Sequence, residues 1–476
     1  MALTTSSKWL RIFGEGATGE TASECAATSG VLFVRSQDEL GVWNENATGR
    51  TFTAKEALRY FGEDRLREIW EEGVAILPAT PVEPSRTLRE RRVALGLEQN
   101  DLHRFTKMPL DKIAKAESPD YPSSIHDLSR LAIALGLDES ILGYRPGANG
   151  DGALAVRLKE WRTEGEKPTT IVKLSAVTWI IATQHQLQQR LTPNSEPLVA
   201  FAQSDDYGNS LNPVWEVAAE LAQETRRRLN FSADEPIPSL RELCHRLQVP
   251  FVRSKLPERI AGATLATGAV RGIVLNVAEN GRNVLVRRAT VAHELGHLLW
   301  DPNERLKSLV VDDYSQIERI EHNRDTKDWV EPRANAFAVE LLAPQDAVRN
   351  LNRGLNTSDP DEVAVAIRRS MDRFGVSRTA MHYHLWNAFR RDFDFDAVSS
   401  VDPTPTEDWE ARERYTDDYF PLGDDTPIER RGEFAALVVR AEREKWLTEQ
   451  VAAFYLNVSP DVYRSRADEI LSLYPV

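Results

Sequence analysis

Cysteine is almost absent: Cys25 and Cys244 are the two in 476 residues, and they sit in unrelated neighbourhoods. That excludes a disulfide framework and a cysteine-built metal ribbon, so any metal site must use histidine and carboxylates. Long apolar runs are missing too. Nothing approaches the roughly 18 uninterrupted apolar residues of a membrane span, and the start, MALTTSSKWLRIFGEG, has no apolar core of a secretion signal. The expectation is a cytoplasmic protein without a membrane partner. Positive charge is in deficit: 59 Lys and Arg against 73 Asp and Glu leave a net charge of -14. A general polyanion binder is therefore excluded, and nucleic-acid binding has to be argued from one local module. Internal repeats and low-complexity tracts are absent as well.

What is present is a globular composition, 41% hydrophobic and 28% charged, in a chain too long for one core. Domains of about 100 to 200 residues predict two to four of them. Residues 1–80 turn helical in pattern, as in AKEALRYFGEDRLREIWEE, and carry no assignable chemistry. LPATPVEPS, 77–85, reads as an extended linker. Residues 86–145 form a run of short helical patterns closed by GYRPGANGDG, and 146–212 connect. From Pro213 two helices, a short strand (PFVRS) and two strand-like runs (GATLAT, GIVLNV) lead into a helix ending at Trp300. This region, 213–350, is followed by a helical extension, 351–395, then an Asp- and Pro-rich loop (DPTPTEDWE), within a helical C-terminal region, 396–476. The fold class expected is multidomain and mainly α, with one α+β domain holding a small sheet.

The chemistry concentrates in AHELGHLLW, 292–300. Residues four apart share a helix face, so His293 and His297 can both offer imidazole nitrogen to one ion. Glu294, beside the first ligand, is placed to polarise a metal-bound water. A catalytic zinc wants three protein ligands and an open position. The candidates for the third are Asp301, Asp312, Asp313, His322 and Glu331. Glu331 is best placed in pattern, at the first turn of an amphipathic helix, EPRANAFAVELLAP. Asn335, one turn further, is the candidate hydrogen-bond partner of a ligand histidine. Tyr314, His322, His382 and Tyr383 are the candidates for stabilising an oxyanion. His382 and His384, two apart, cannot share a helix face and read as ordinary residues.

With AHELGHLLW followed by ExxANxFAxELLxP, residues 213–345 resemble the ImmA/IrrE family of zinc metallopeptidases. The resemblance implies a zincin-like domain with His293 and His297 as ligands, Glu294 as general base and Glu331 as third ligand. It implies Zn2+ as the cofactor, with Mn2+ as the alternative ion. Its partner would be a protein substrate: a repressor, an antitoxin or the chain's own DNA-binding half, in a stress, mobile-element or phage-defence setting. ELLAP replaces the more usual ELLMP, and a polar stretch, 305–330, separates the two ligand motifs.

The segment RTLRERRVALGLEQNDLHRFTKMPLDKIAKAESPDYPSSIHDLSRLAIALGLD, 86–138, resembles the XRE (Cro/repressor-like) helix-turn-helix, with Gln99 and Glu117 at family positions. That implies a third helix in the major groove carrying Asp111, Lys112 and Lys115, with Gln99 beside it and Arg86, Arg89, Arg91 and Arg92 on phosphate. His103 stands where the family usually has alanine, and Asp111 would repel phosphate. DNA binding through 86–145 and a homodimer are the further expectations; the alternative is a transcription factor whose peptidase-like domain senses without cutting.

Overall fold

The computed structural model describes residues 5–77, 83–140, 142, 167–192, 213–257, 260–267, 270–278, 283–301, 310–313, 330–389, 398–415 and 426–473. Among these the protein is mostly helical, with two small sheets. The chain divides into two compact units, Met1–Ser195 with Tyr419–Val476, and Glu196–Asp418.

The first unit opens with helices α1 (Thr5–Phe13) and α2 (Ala22–Thr28), then strands β1 (Leu32–Arg35), β2 (Glu39–Val42) and β3 (Arg50–Thr53), helix α3 (Ala54–Glu72) and strand β4 (Val74–Ile76). The strands make an antiparallel sheet in the order β3-β1-β2-β4. Phe33 faces Phe52 across β1 and β3, and both are buried against Phe61 of α3. Thr53 ends β3 and caps α3 by accepting from the Glu56 amide, so one residue serves both elements. The sequence pattern gives the bounds of α3, though not its break at Gly62 (φ 81°), and not the sheet, because strands of three or four residues are too short to display an alternation.

Four short helices follow: α4 (Glu83–Ala94), α5 (Gln99–Thr106), α6 (Leu110–Ala116) and α7 (Ile125–Ala134). Helix α4 starts inside the stretch read as a linker, because Pro84 is tolerated in a first turn where its missing N–H has no intrahelical partner anyway. Lys107 adopts φ 60° and closes α5 through its amide on His103. Pro109 is the residue just before α6 rather than in its first turn. Helix α8 (Pro168–Leu191) is apolar and buried around most of its circumference, since α5 and α7 pack on it and a C-terminal helix does so too.

The second unit holds α9 (Val214–Arg228), α10 (Leu240–Arg246), strands β5 (Phe251–Ser254), β6 (Ile260–Thr267) and β7 (Val270–Asn276), helix α11 (Val284–Trp300), strand β8 (Val310–Asp313) and helix α12 (Val330–Leu342). The sheet order is β5-β7-β6-β8, with β5 parallel to β7 and the other pairs antiparallel. Helix α11 starts on Asn283, whose side chain accepts from the Leu285 and Val286 amides. Every α11 side chain except Val286 is buried, by β6 and β7 on one side and α12 on the other. Then come α13 (Gln345–Leu351), α14 (Pro360–Phe374), α15 (Arg378–Phe389) and α16 (Glu407–Glu413). Helix α16 lies where the sequence reads as loop. Its Trp409 and Glu413 are buried against Arg288 of α11, which drives the turn into order.

Arg288 shows how the second unit fastens its central helix. Its guanidinium pairs with Glu413 and donates to the carbonyls of Gly375 and Ile237. Glu413 in turn accepts from Ser239 Oγ and from the Leu240 amide at the start of α10. A buried ion pair of this kind is held by its hydrogen bonds rather than by Coulomb attraction alone.

The chain returns to the first unit with α17 (Glu433–Arg443), α18 (Glu449–Leu456) and α19 (Pro460–Leu473). Segments far apart in sequence thus share one core: Arg50, Glu139 and Tyr455 touch one another. No helix among the described residues is long and apolar enough to cross a membrane.

Candidate metal centre

Helical spacing puts His293 and His297 one above the other on α11, with their Nε2 atoms 2.9 Å apart. Glu331, in the first turn of α12, brings Oε2 to 3.4 Å and 3.6 Å from those two nitrogens. The approach depends on Gly296, since a Cβ there would meet Phe337 Cδ1 of α12 at 2.8 Å. A glycine on α11 thus lets the two helices close to the distance at which three donor atoms converge.

Those donors fit a metal. Bonds of about 2.0 to 2.1 Å in a tetrahedron set donor pairs roughly 3.3 Å apart, and the three distances bracket that value. Glu331 Oε2 is buried without a well-formed hydrogen bond, so its lone pairs point into the same small space. Burial alone would lower the pKa of His297, but hydrogen bonds and charge from Asp301 and Glu331 hold it well above its ordinary value. The Glu331 carboxyl is held well below the usual range: burial raises it, and the two imidazoles more than offset that. The field at this point favours a cation.

Asp301, a candidate third ligand by sequence, has a different place. As the residue closing α11 it accepts at 2.8 Å from His297 Nδ1, while Arg333 of α12 pairs with its other oxygen. A carboxylate on the far ring nitrogen fixes the tautomer that offers Nε2 to a metal. Asp301 therefore stands behind the His297 ring and not among the three converging donors. The spacing His297 to Asp301, again four residues, carried that signal; nothing local marked Arg333.

Glu294 is fully buried, and Thr264 Oγ1 of β6 donates to its Oε2. Strand β6 reaches it because position 262 is glycine: a Cβ there would stand 2.7 Å from Glu294 Oε1 and 3.0 Å from the Val274 carbonyl. The β6–β8 register shifts at the same place, between Ile260 and Gly262. Sequence reasoning passed over both Gly262 and Thr264, whose only visible sign was a glycine inside a strand pattern.

Of the remaining candidates, Asp312 and Asp313 belong to β8, where their backbones pair with Gly262 and Ile260. Tyr314 and His322 lie outside the described residues. His382 and Tyr383 are neighbours in α15 with their rings tilted against each other, and they are not part of the convergent group. His384 is an ordinary core residue, bonded through Nε2 to the Ala343 carbonyl, with burial bringing its pKa down to about 4. Asn335 lines a cavity one turn along α12 from Glu331.

In the first unit the residues expected at DNA fall into two groups. Gln99 Nε2 donates to Glu117 at 2.9 Å, and Arg92 forks onto the same carboxylate at 2.6 and 2.8 Å, which ties α4, α5 and the end of α6 together. Arg91 is buried on the Leu135 carbonyl. These three work inside the module. Arg86, Arg89, Asp111, Lys112 and Lys115 are exposed, with Lys112 3.4 Å from Asp127 and Lys115 3.8 Å from Asp111.

A search of curated proteins found no match to this chain. Residues 271–385, from β7 to α15, match the Peptidase_M78 family model, described as the IrrE N-terminal-like domain. The three donors and Glu294 all fall inside that span, which supports a metallopeptidase-like domain of the ImmA/IrrE kind in this part of the chain.

Proposed function

We propose that the second unit is a zinc-dependent endopeptidase serving gene regulation, whose substrate is a repressor, an antitoxin or the chain's own helix-turn-helix half. The observation that carries the reading is the convergence of His293, His297 and Glu331 beside a buried Glu294 on the same helix. Zinc held there would supply a Lewis acid and a water acidic enough to lose its proton near neutral pH. With zinc bound, Glu294 would be the residue to accept a proton, at Oε1, the oxygen that Thr264 does not engage, and to deliver it to the departing amine. Thr264 keeps the carboxylate turned while the proton moves. Asp301 and Arg333 keep His297 in its ligand tautomer.

The test is Glu294→Gln in the zinc-loaded full chain. Metal content should persist while cleavage of any repressor that the unmodified protein cuts disappears. Cleavage that survives overturns the mechanism. A second reading, metal or partner sensing without turnover, draws support from the complete burial of both histidines; retained zinc with no cleavage by the unmodified protein would favour it.

Residues 86–145 are proposed to bind DNA with α6 in the major groove, Lys112 and Lys115 on its exposed face and Arg89 on phosphate. Gel shifts should lose affinity in Lys112→Ala/Lys115→Ala, with a salt slope lower by about two. A slope that does not change removes these lysines from the interface.

A further inference from the structure

A cavity of about 140 Å³ lies between α11, α12 and the start of α15 in the second unit, lined by residues of the two helices that carry the donors but not by the donors themselves. At roughly 30 Å³ per water, that is room for four or five heavy atoms, the size of one side chain. Its apolar lining is Val286 and Ala289 on α11 and Ala338 and Val339 on α12, with the polar Asn283 at the α11 end. Ala289 precedes His293 by one turn and Asn335, also lining the cavity, follows Glu331 by one turn. At about 1.5 Å of rise per residue the lining spans about 6 to 15 Å along the helices from the donors, which is about two to four residues of extended peptide.

The mouth has the opposite character. Ser377, Arg378 and Thr379, at the start of the twelve-residue helix α15, line it. Arg378 is anchored by Nη1 to the carbonyls of Ser399 and Val401, at 3.3 and 2.8 Å, and forms no ion pair among the described residues. Asp402 feels its charge but is fully in solvent, where the interaction is weak. An apolar floor under an anchored, unneutralised guanidinium suits a group with a short aliphatic stem and an anionic end.

We propose that this cavity is a substrate pocket that takes an acidic side chain, glutamate above all, about two to four residues from the bond to be cut, with Arg378 reading its carboxylate. The proposal rests on the peptidase reading for the word substrate, but the recognition is a binding property and can be measured without turnover. Aspartate, one methylene shorter, would leave part of the floor uncovered and should bind less tightly. Lysine would meet a like charge.

The experiment uses zinc-loaded full-length protein carrying Glu294→Gln, with fluorescein-labelled eight-residue peptide pools that differ at one fixed position, Glu, Gln or Lys. Polarisation titrations should give the Glu pool about tenfold tighter binding than the Gln pool, as one charge-assisted contact allows. Arg378→Ala should erase the difference and Arg378→Glu should turn it toward the Lys pool. Because Arg378 also holds the 399–401 backbone, Thr379→Glu serves as a second variant, placing negative charge at the mouth with the anchor intact; it should weaken the Glu pool selectively. Equal binding of Glu and Gln pools, or a Glu preference that survives Arg378→Glu, overturns the proposal. Peptide cleavage by the unmodified protein separates the two ideas. Preference without cleavage refutes the peptidase and keeps the pocket, whereas cleavage without preference refutes the pocket and keeps the peptidase.

Discussion

In the first unit Arg50 lies 3.1 Å from Glu56 and 3.5 Å from Glu139, with Tyr455 and Ser140 hydroxyls in reach. In the second, His293, His297 and Glu331 bring nitrogen and oxygen lone pairs within 3.6 Å of one another. Both clusters are buried, and both perturb their members: burial raises Glu56, while Arg50 is raised because Tyr455 and its carboxylates outweigh its desolvation. What differs is the sign of the partners. Cation against anion, with Trp179 Nε1 donating to Glu139 as well, balances its own charge, although Arg50 Nε and Glu56 Oε2 are left without a hydrogen bond among the described residues. Acceptor against acceptor is satisfied only by something positive. Burial and shifted pKa values occur in both, so neither marks a site here; the mismatch of hydrogen-bonding character does.

That contrast is open to attack at several points. The largest effect is expected from His297→Ala: zinc measured by atomic absorption should fall from about one per chain to near none and cleavage should drop by more than about a thousandfold, while the first unit's unfolding is unmoved. Arg50→Met should do the reverse. It leaves Glu56 and Glu139 buried without their cation, which costs about 3 to 5 kcal/mol in urea denaturation, with zinc content retained. Zinc loss in Arg50→Met would break the comparison.

Asp301→Asn sharpens it by keeping the ligands and weakening only their support. Zinc affinity, measured by competition with a chelator, should fall about 10- to 100-fold, because an amide holds the ring without raising its basicity. An unchanged affinity would mean that Asp301 does not set the ligand tautomer.

The smallest effect concerns Glu340, which burial pushes up to about 7 and which accepts from the Gln345 amide at the start of α13. A carboxyl with a raised folded pKa gives stability below its unfolded pKa, near 4.5, and loses it as pH climbs to about 7. Glu340→Gln keeps an acceptor and removes the titration. Its melting temperature should therefore match the unmodified protein near pH 4.5 and exceed it by a few degrees above pH 7. A gap that narrows as pH rises would contradict the sign.

The separation between legible and illegible follows the range of the interactions. The spacing of His293 and His297, the amphipathic run of α12 and the bounds of α3 are local patterns, and each is found where the sequence puts it. Gly296 sits inside the histidine motif, and Phe337 of α12 is what approaches it. The four-stranded sheet of residues 32–76 was not legible, nor was the helical start of α16, which is held by Arg288 more than a hundred residues away. Gln99 and Lys112 read alike as DNA contacts; only packing turned the first inward onto Glu117.

By itself the sequence determined the two imidazoles on one helix face, the glutamate between them and a carboxylate opening the next amphipathic helix, because helix periodicity is written in four-residue steps. Tertiary structure alone decided which carboxylate joins the imidazoles and which merely steers one. Glu331 and Asp301 are both acidic and both near the motif, but α12 docks through Gly296 with Glu331 facing the nitrogens, while the end of α11 carries Asp301 behind the ring. The choice is a matter of distance across a helix interface, and no local pattern encodes that.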